Sequence, residues 1–308
     1  MIPATPTETF PRRTGRQAFP VRAAIRRTVA AVTRRLPSVR GLGRLVLAAD
    51  RLLTDSDDPA SFEVSACVNG HGHLILDLRT WEQKFAFYYG TYEPELIAAT
   101  GRLFCGGVFY DIGASIGLYA VPMALTCQQH GGYVRAFEPV PQNRQRLEGQ
   151  IAENSLSTDL VRMENVALGS ESGTAMMDLC DDGKPGNAKI TGGGQVSVEV
   201  TTLDAVWAAR EHEHIDFIKI DTEGWDARIL AGGKAAIRKC RPNMLIEFNR
   251  ERMTNHGIPL APAWTFLVDE MDYHVFSVSE RGSVSQVHEP GDLENLFFVR
   301  AEDVGRLG

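Results

Sequence analysis

One segment constrains this chain more than any other: Val108-Phe-Tyr-Asp111-Ile-Gly113-Ala-Ser-Ile-Gly117-Leu-Tyr119. An apolar run ends in an aspartate, a small-residue turn follows, and a helical pattern begins. Gly113 lets the backbone reverse sharply, and the absence of a Cβ lets a ligand come close. Gly117 allows tight packing of the helix that follows. In open α/β sheets, such turns at the carboxyl ends of strands carry the ligand. The spacing departs from the G-x-G-x-x-G dinucleotide fingerprint, which disfavours an NAD-dependent oxidoreductase.

The segment opens a repeated alternation. Strands are expected at Val108–Ile112, Tyr133–Phe137, Val161–Ala167, Ile215–Ile220 and Met244–Phe248, with helices at Ile116–Cys127, Pro141–Asn154, Leu203–Ala209 and Trp225–Lys239 between them. Thr202 is placed to cap the third of these helices. Thr174–Leu179 and Val196–Val200 read as an inserted strand pair around Gly192–Gly194. A helix at Trp264–Met271 precedes two strands, His274–Val278 and Leu296–Arg300, suited to an antiparallel edge pair. The pattern predicts an α/β fold, a mostly parallel sheet with helices on both faces. Before it, Phe62–Val68 and Leu74–Leu78 flank Asn69-Gly70 as a hairpin.

Charge divides the chain. Between Arg12 and Arg51 stand eleven arginines and one aspartate, whereas residues 52–308 carry 21 basic and 37 acidic side chains. An acidic body is a poor binder of nucleic acid, which needs clustered Lys and Arg. Within the basic arm, Val21, Ile25, Val29, Val32 and Leu36 fall at helical spacing. This predicts a basic amphipathic helix. It admits packing on the acidic body, peripheral membrane contact, or a cleaved transit peptide. Asp55–Pro59 is linker-like, so residues 1–55 are expected to form an arm and 56–100 a hairpin and lead-in. Five scattered cysteines without a C-x-x-C pair point to a reducing, cytoplasmic setting. No apolar run approaches the roughly 20 residues of a membrane span.

The chemistry is expected at the strand ends. Glu138 follows the second strand, 27 residues after Asp111, where a carboxylate can accept hydrogen bonds from ribose hydroxyls. Asn165, Val166 and Ala167 form a turn suited to flank an adenine. Asp221 closes the fourth strand, Glu223 lies on the next turn, Asp226 opens the following helix, and Glu247 ends the fifth strand. Asp226 reads as a helix cap. Asp221, Glu223 and Glu247 are candidates to polarise or deprotonate a hydroxyl, or, with Asn249, to hold a divalent cation such as Mg²⁺. Lys219 reads as half of a buried ion pair. His71 and His256 are outside candidates for the base. Asp181–Gly194 is a candidate lid.

The ordered set DIGASIG, FEPVPQN, NVALG, KIDTEGWD and LIEFN resembles the FkbM family of S-adenosylmethionine (SAM)-dependent methyltransferases over roughly residues 85–280. Gly90-Thr-Tyr-Glu93-Pro-Glu95 is similar to the family's lead-in segment. The resemblance implies a class I, Rossmann-like methyltransferase domain over 101–308 with a seven-stranded sheet and an N-terminal extension. It also implies O-methylation of a hydroxyl on a sugar, glycolipid or natural product. It makes SAM the cofactor, with Glu93, Asp111, Gly113, Ala114, Ser115, Gly117, Glu138, Asn143, Asn165, Val166, Ala167 and Asp221 around it. The expected partner is a small-molecule or glycan acceptor, and an oligomer is compatible with the sequence. Trp225 and Asp226 depart from the family's usual His and Glu. A protein that binds SAM without turnover is the non-catalytic alternative.

Overall fold

The computed structural model describes residues 20–35, 42–53, 62–70, 72–178, 189–191, 194–255, 257, 259–291 and 295–308. The chain divides into two compact units, Met1–Ser61 and Phe62–Gly308. His71, His256, the Asp55–Pro59 stretch and most of the candidate lid lie outside the described residues.

The first unit contains helices α1 (Pro20–Thr33) and α2 (Leu42–Leu53). Its buried face differs from the expected one. Arg26, Ala30 and Thr33 are buried, whereas Ile25 and Val32 are exposed. An ion pair decides the rotation: Arg26 Nε lies 3.2 Å from Asp50 Oδ1 on α2, with both side chains sequestered. A buried charge needs such a partner, and with Arg26 turned inward Ile25 and Val32 face outward while Val29 is half-buried; Leu36 lies outside the described residues.

In the second unit, β1 (Glu63–Cys67) and β2 (His73–Asp77) form the expected hairpin. Helices α3 (Trp81–Tyr89) and α4 (Pro94–Leu103) lead into the main sheet. Then follow β3 (Gly107–Ile112), α5 (Ala120–His130), β4 (Gly132–Phe137), α6 (Pro141–Glu153) and β5 (Val161–Glu164). The predicted third strand breaks at Asn165-Val166, and β6 (Ala167–Gly169) joins a separate four-stranded sheet instead. That sheet has the order β6-β9-β7-β8, with β7 at Gly173–Asp178, β8 at Lys189–Thr191 and β9 at Val196–Thr202. Helix α7 (Leu203–Ala209) is capped by Thr202, whose hydroxyl accepts from the Ala205 amide at 3.0 Å. After β10 (Phe217–Ile220), the single helix expected over Trp225–Lys239 is two, α8 (Asp226–Ala231) and α9 (Lys234–Cys240). Gly232-Gly233 separates them. A Cβ on Gly232 would stand 2.1 Å from the Gly169 carbonyl, so the close contact with the smaller sheet requires the break. The rest is β11 (Asn243–Glu247), α10 (Arg250–Asn255), α11 (Ala261–Trp264) with a wider π-turn over Thr265–Glu270, then β12 (His274–Val278), β13 (Val284–Gln286) and β14 (Asn295–Val299).

The main sheet runs β13-β12-β14-β11-β10-β3-β4-β5. Seven of its strands give the expected mostly parallel Rossmann-like sheet, and the short β13 adds an eighth at the edge. Strands β5, β4, β3, β10 and β11 are mutually parallel, while β14 is antiparallel to both β11 and β12. Central strands buried on both faces are mostly apolar, as Phe109, Phe217 and Phe298 are; Asp111 on β3 and Lys219 on β10 are the charged exceptions. Phe109 and Phe217 stack with centroids 5.2 Å apart. The chain leaves β3 towards β4 on one side and later returns to β10 on the other. Order therefore reverses between β3 and β10, which opens a crevice at their carboxyl ends. No helix among the described residues is long and apolar enough to cross a membrane.

Candidate active site

A cleft of about 400 Å³ occupies that crevice. Glu93, Asp111, Gly113, Ala114, Ser115, Glu138, Asn143, Val166, Ala167, Asp221, Glu223 and Glu247 all line it. Gly117 and Asn165 do not. A Cβ on Gly117 would meet Leu147 Cδ1 at 2.5 Å, so this glycine serves the contact with α6. Asn165 is exposed: the break between β5 and β6 turns it outward and leaves Val166 and Ala167 on the wall.

Gly113 holds φ +84, and a Cβ there would lie 2.0 Å from the Asp221 carbonyl. The turn after β3 thus presses on the end of β10, which only glycine permits. Glu138 organises the neighbouring turns. Its Oε2 accepts from the Ser115 amide and its Oε1 from the Val140 amide, each at 2.9 Å. The Asn143 side chain also hydrogen-bonds this carboxylate, which still keeps lone-pair capacity for a further donor.

Asp111 is fully buried; the Ala120 amide at the start of α5 gives it weak support, and no side chain hydrogen-bonds its oxygens. Burial raises its pKa to about 6, against the pull of Lys219. Lys219 stands opposite Asp111 in the β3–β10 register. Its Nζ donates to Asp221 Oδ2 at 3.2 Å, lies 3.9 Å from Asp111 Oδ1, and sits 4.6 Å from the centre of the Tyr119 ring. The Tyr119 hydroxyl donates to Glu93 Oε2 at 2.6 Å. The expected ion pair of Lys219 is therefore part of the cleft wall itself.

The acidic cluster has an organiser that the sequence pattern did not mark. Arg252 Nη1 lies 2.6 Å from Glu247 Oε1 and 2.7 Å from Glu223 Oε2. Asn249 caps α10, its Oδ1 accepting from the Arg252 amide at 3.0 Å. The only advance signal is an Asn-x-x-Arg spacing beyond a strand end. Asp226 is buried and fixes the intervening turn: it accepts from the Thr222 amide, the Thr222 hydroxyl and the Gly224 amide, at 3.2, 3.1 and 3.2 Å. It is the first residue of α8 and not its cap, which is Trp225; its carboxylate is turned back to the preceding turn. Burial and the charge of Asp221 push its carboxyl up to about 7. Trp225 lines the cleft.

These contacts revise the magnesium expectation. Among the described residues, no three His, Cys, Asp or Glu side chains are grouped so that they could hold a metal ion. A guanidinium already bridges Glu223 and Glu247, and Asn249 is committed to its helix.

The domain model of the FkbM methyltransferases matches residues 111–277. Among solved structures, the methyltransferase FkbM from Methylobacillus flagellatus KT is 17% identical, with a TM-score of 0.44 over 90% of this chain. The chain spans 59% of that protein's length. A precorrin-6y C5,15-methyltransferase from Geobacter metallireducens GS-15 is 11% identical, with a TM-score of 0.36 over 67% of this chain and 87% of its own. No curated protein matches the sequence. The family domain starts at the Asp111 turn, contains Glu138, Asp221 and Glu247, and covers more than half of the chain. By that match the protein is a member of the FkbM methyltransferase family.

Proposed function

We propose that the protein is a SAM-dependent O-methyltransferase acting on a hydroxyl of a sugar, glycolipid or natural product in the cytoplasm. The observation that carries the cofactor is Asp111. A buried carboxylate with no side-chain donor and little backbone support is under-satisfied, and an unmade hydrogen bond of this kind costs on the order of 1–3 kcal/mol. A cationic donor entering the cleft relieves that cost, and the ammonium of the SAM amino-acid tail is such a donor. Glu138 fits the same ligand: with its orientation fixed by two backbone amides, its remaining lone pairs suit the ribose diol. Val166 and Ala167 offer an apolar flank for the adenine. Free thiols at Cys67, Cys105, Cys127 and Cys240 suit a reducing compartment.

When bound, SAM supplies a methyl group on a positively charged sulfur. The chain's own task is to align an acceptor oxygen in line with that bond and to take up its proton. Alignment alone accounts for much of the acceleration in displacements of this kind. Asp221, with one oxygen held by Lys219, orients the acceptor. Glu247 is the better placed base of the two glutamates. Its Oε1 is held by Arg252, and its Oε2 is buried without a partner. The seven carboxylates on the cleft wall, against two cations, favour a neutral or cationic acceptor over an anionic one.

The experiment is methyl transfer from isotopically labelled SAM to a panel of neutral, amino- and acidic glycosides, read by mass. A gain of one CH₂ on a hydroxyl of a neutral or amino member supports the reading. SAM binding without transfer to any member of a broad acceptor panel favours the non-catalytic alternative.

A further inference from the structure

The cofactor reading leaves one charge without a receptor. The SAM tail is an α-amino acid, so it brings a carboxylate as well as an ammonium. Among the described residues lining the cleft, only Lys219 and Arg252 are cationic. A carboxylate entering this wall would otherwise meet like charges at close range. Arg252 is committed through Nη1 to Glu223 and Glu247. Lys219 is differently placed. Its side chain is 6% exposed, and one of its three N–H groups goes to Asp221. The 3.9 Å to Asp111 is too long for a hydrogen bond. Burial works against its charge, yet the carboxylates of Asp221, Asp111 and Glu93 outweigh that and hold it above its ordinary range. It stays a full cation with donors to spare.

Strand register puts this cation directly beside the buried carboxylate of Asp111. Lys219 and Asp111 are partners across adjacent parallel strands, at the carboxyl edge where the chain order reverses. Two opposite charges stand side by side, close but not hydrogen-bonded to each other. An α-amino acid presents the complementary pair on one carbon.

We propose that Lys219 is the receptor for the α-carboxylate of the cofactor's tail. Paired with Asp111 for the ammonium, it makes the cleft selective for nucleosides that carry an intact amino acid. This rests on the SAM reading. The rival role is internal only: Lys219 as a counter-ion that keeps Asp111 and Asp221 from repelling each other.

The test needs no methyl acceptor. Calorimetry on the full chain compares S-adenosylhomocysteine with its decarboxylated counterpart, which keeps the adenosine, sulfur and ammonium and lacks only the carboxylate. The wild type should prefer S-adenosylhomocysteine by about tenfold or more, the scale of a charge-assisted hydrogen bond. Lys219→Met should abolish the preference, and Lys219→Arg should retain part of it. A counter-ion role alone would leave the ratio of the two ligands unmoved. If Lys219→Met fails to fold, the wild-type ratio and the Lys219→Arg ratio still decide. A wild-type ratio near one, or an undiminished preference in Lys219→Met, overturns the proposal. If neither nucleoside binds the wild type, the SAM reading itself fails, which is a distinct outcome.

Discussion

Glu247 meets Arg252 through one oxygen only: Oε1 lies 2.6 Å from Nη1, while Oε2 is buried with no partner. The contact fixes the carboxylate without occupying all of it. Burial and the charge of Asp221 push Glu247 well above the usual carboxylate range, and Arg252 pulls the other way. Asp226 and Glu223 also raise it. A base acts only when deprotonated, so turnover should climb with pH through this raised value. Arg252→Gln removes the one cation that opposes the rise, and should move that limb of the pH–rate profile further up. A limb that moves down, or stays, would show that Glu247 does not set it. Glu247→Gln should keep SAM affinity within about threefold while kcat falls about 10²–10⁴-fold, the usual range for a lost general base. Near-normal turnover in both Glu247→Gln and Glu223→Gln would make the cluster structural.

Asp111 makes a second pH prediction. In the free protein its carboxyl is raised to about 6 by burial, above its ordinary 3.8. Between these values the folded state binds more protons than the unfolded one, so this group's contribution to stability falls as pH rises through the window. A cationic ligand favours the ionised form and displaces the proton. Affinity for S-adenosylhomocysteine should therefore rise with pH up to about 6 and then level off. Calorimetry in two buffers of different ionisation enthalpy reads the released proton. In Asp111→Asn the affinity should be weaker, and this dependence on pH should vanish.

Glu138→Ala should weaken SAM binding by about 1.5–3 kcal/mol, the range for a hydrogen bond to a charged group. The same change frees the Ser115 and Val140 amides, so some thermal stability is lost with it. Glu138→Gln, which can keep only part of that scaffold, should fall between. An unchanged dissociation constant in Glu138→Ala would place the residue outside the cofactor site.

Gly224 holds φ +98, and a Cβ there would lie 2.9 Å from the Arg252 backbone. Gly224→Ala should cost about 1–3 kcal/mol through backbone strain and overpacking. Because Arg252 is what must move, the variant should also shift the Glu247-dependent limb of the pH–rate profile. A denaturation midpoint and pH–rate profile equal to the wild type would contradict the close packing of this turn.

What could be read in advance follows from the range over which each feature is encoded. The alternation of apolar strands with amphipathic helices is local, so the parallel core, the β1–β2 hairpin and the Thr202 cap were legible. The turns after β3, β4 and β10 carry their chemistry in consecutive residues, and twelve of the fourteen anticipated site positions line the cleft. What was missed depends on partners far apart in sequence. The Gly232-Gly233 break comes from an approach to Gly169. The turn of α1 that buries Arg26 needs Asp50, 24 residues on. Arg252 carries no motif, and its role exists only because the turn after β10 and the end of β11 meet it in space. Asn165 faces outward because a three-residue strand in another sheet takes the chain away just beyond it.

None of the described residues of the N-terminal unit is among those that line the cleft. A protein beginning at Phe62 should fold and bind S-adenosylhomocysteine with an affinity within about threefold of the full chain. If the basic arm contacts membranes, only the full chain should sediment with vesicles containing anionic lipid, and added salt should release it. Equal sedimentation of both forms would remove that role from the arm.

Titration calorimetry of the wild-type protein with SAM, S-adenosylhomocysteine and NAD tests whether the crevice between β3 and β10 binds SAM. The first two should bind one-to-one, more weakly in Glu138→Ala, and NAD should give no measurable heat. Binding of NAD without binding of SAM or S-adenosylhomocysteine would contradict it.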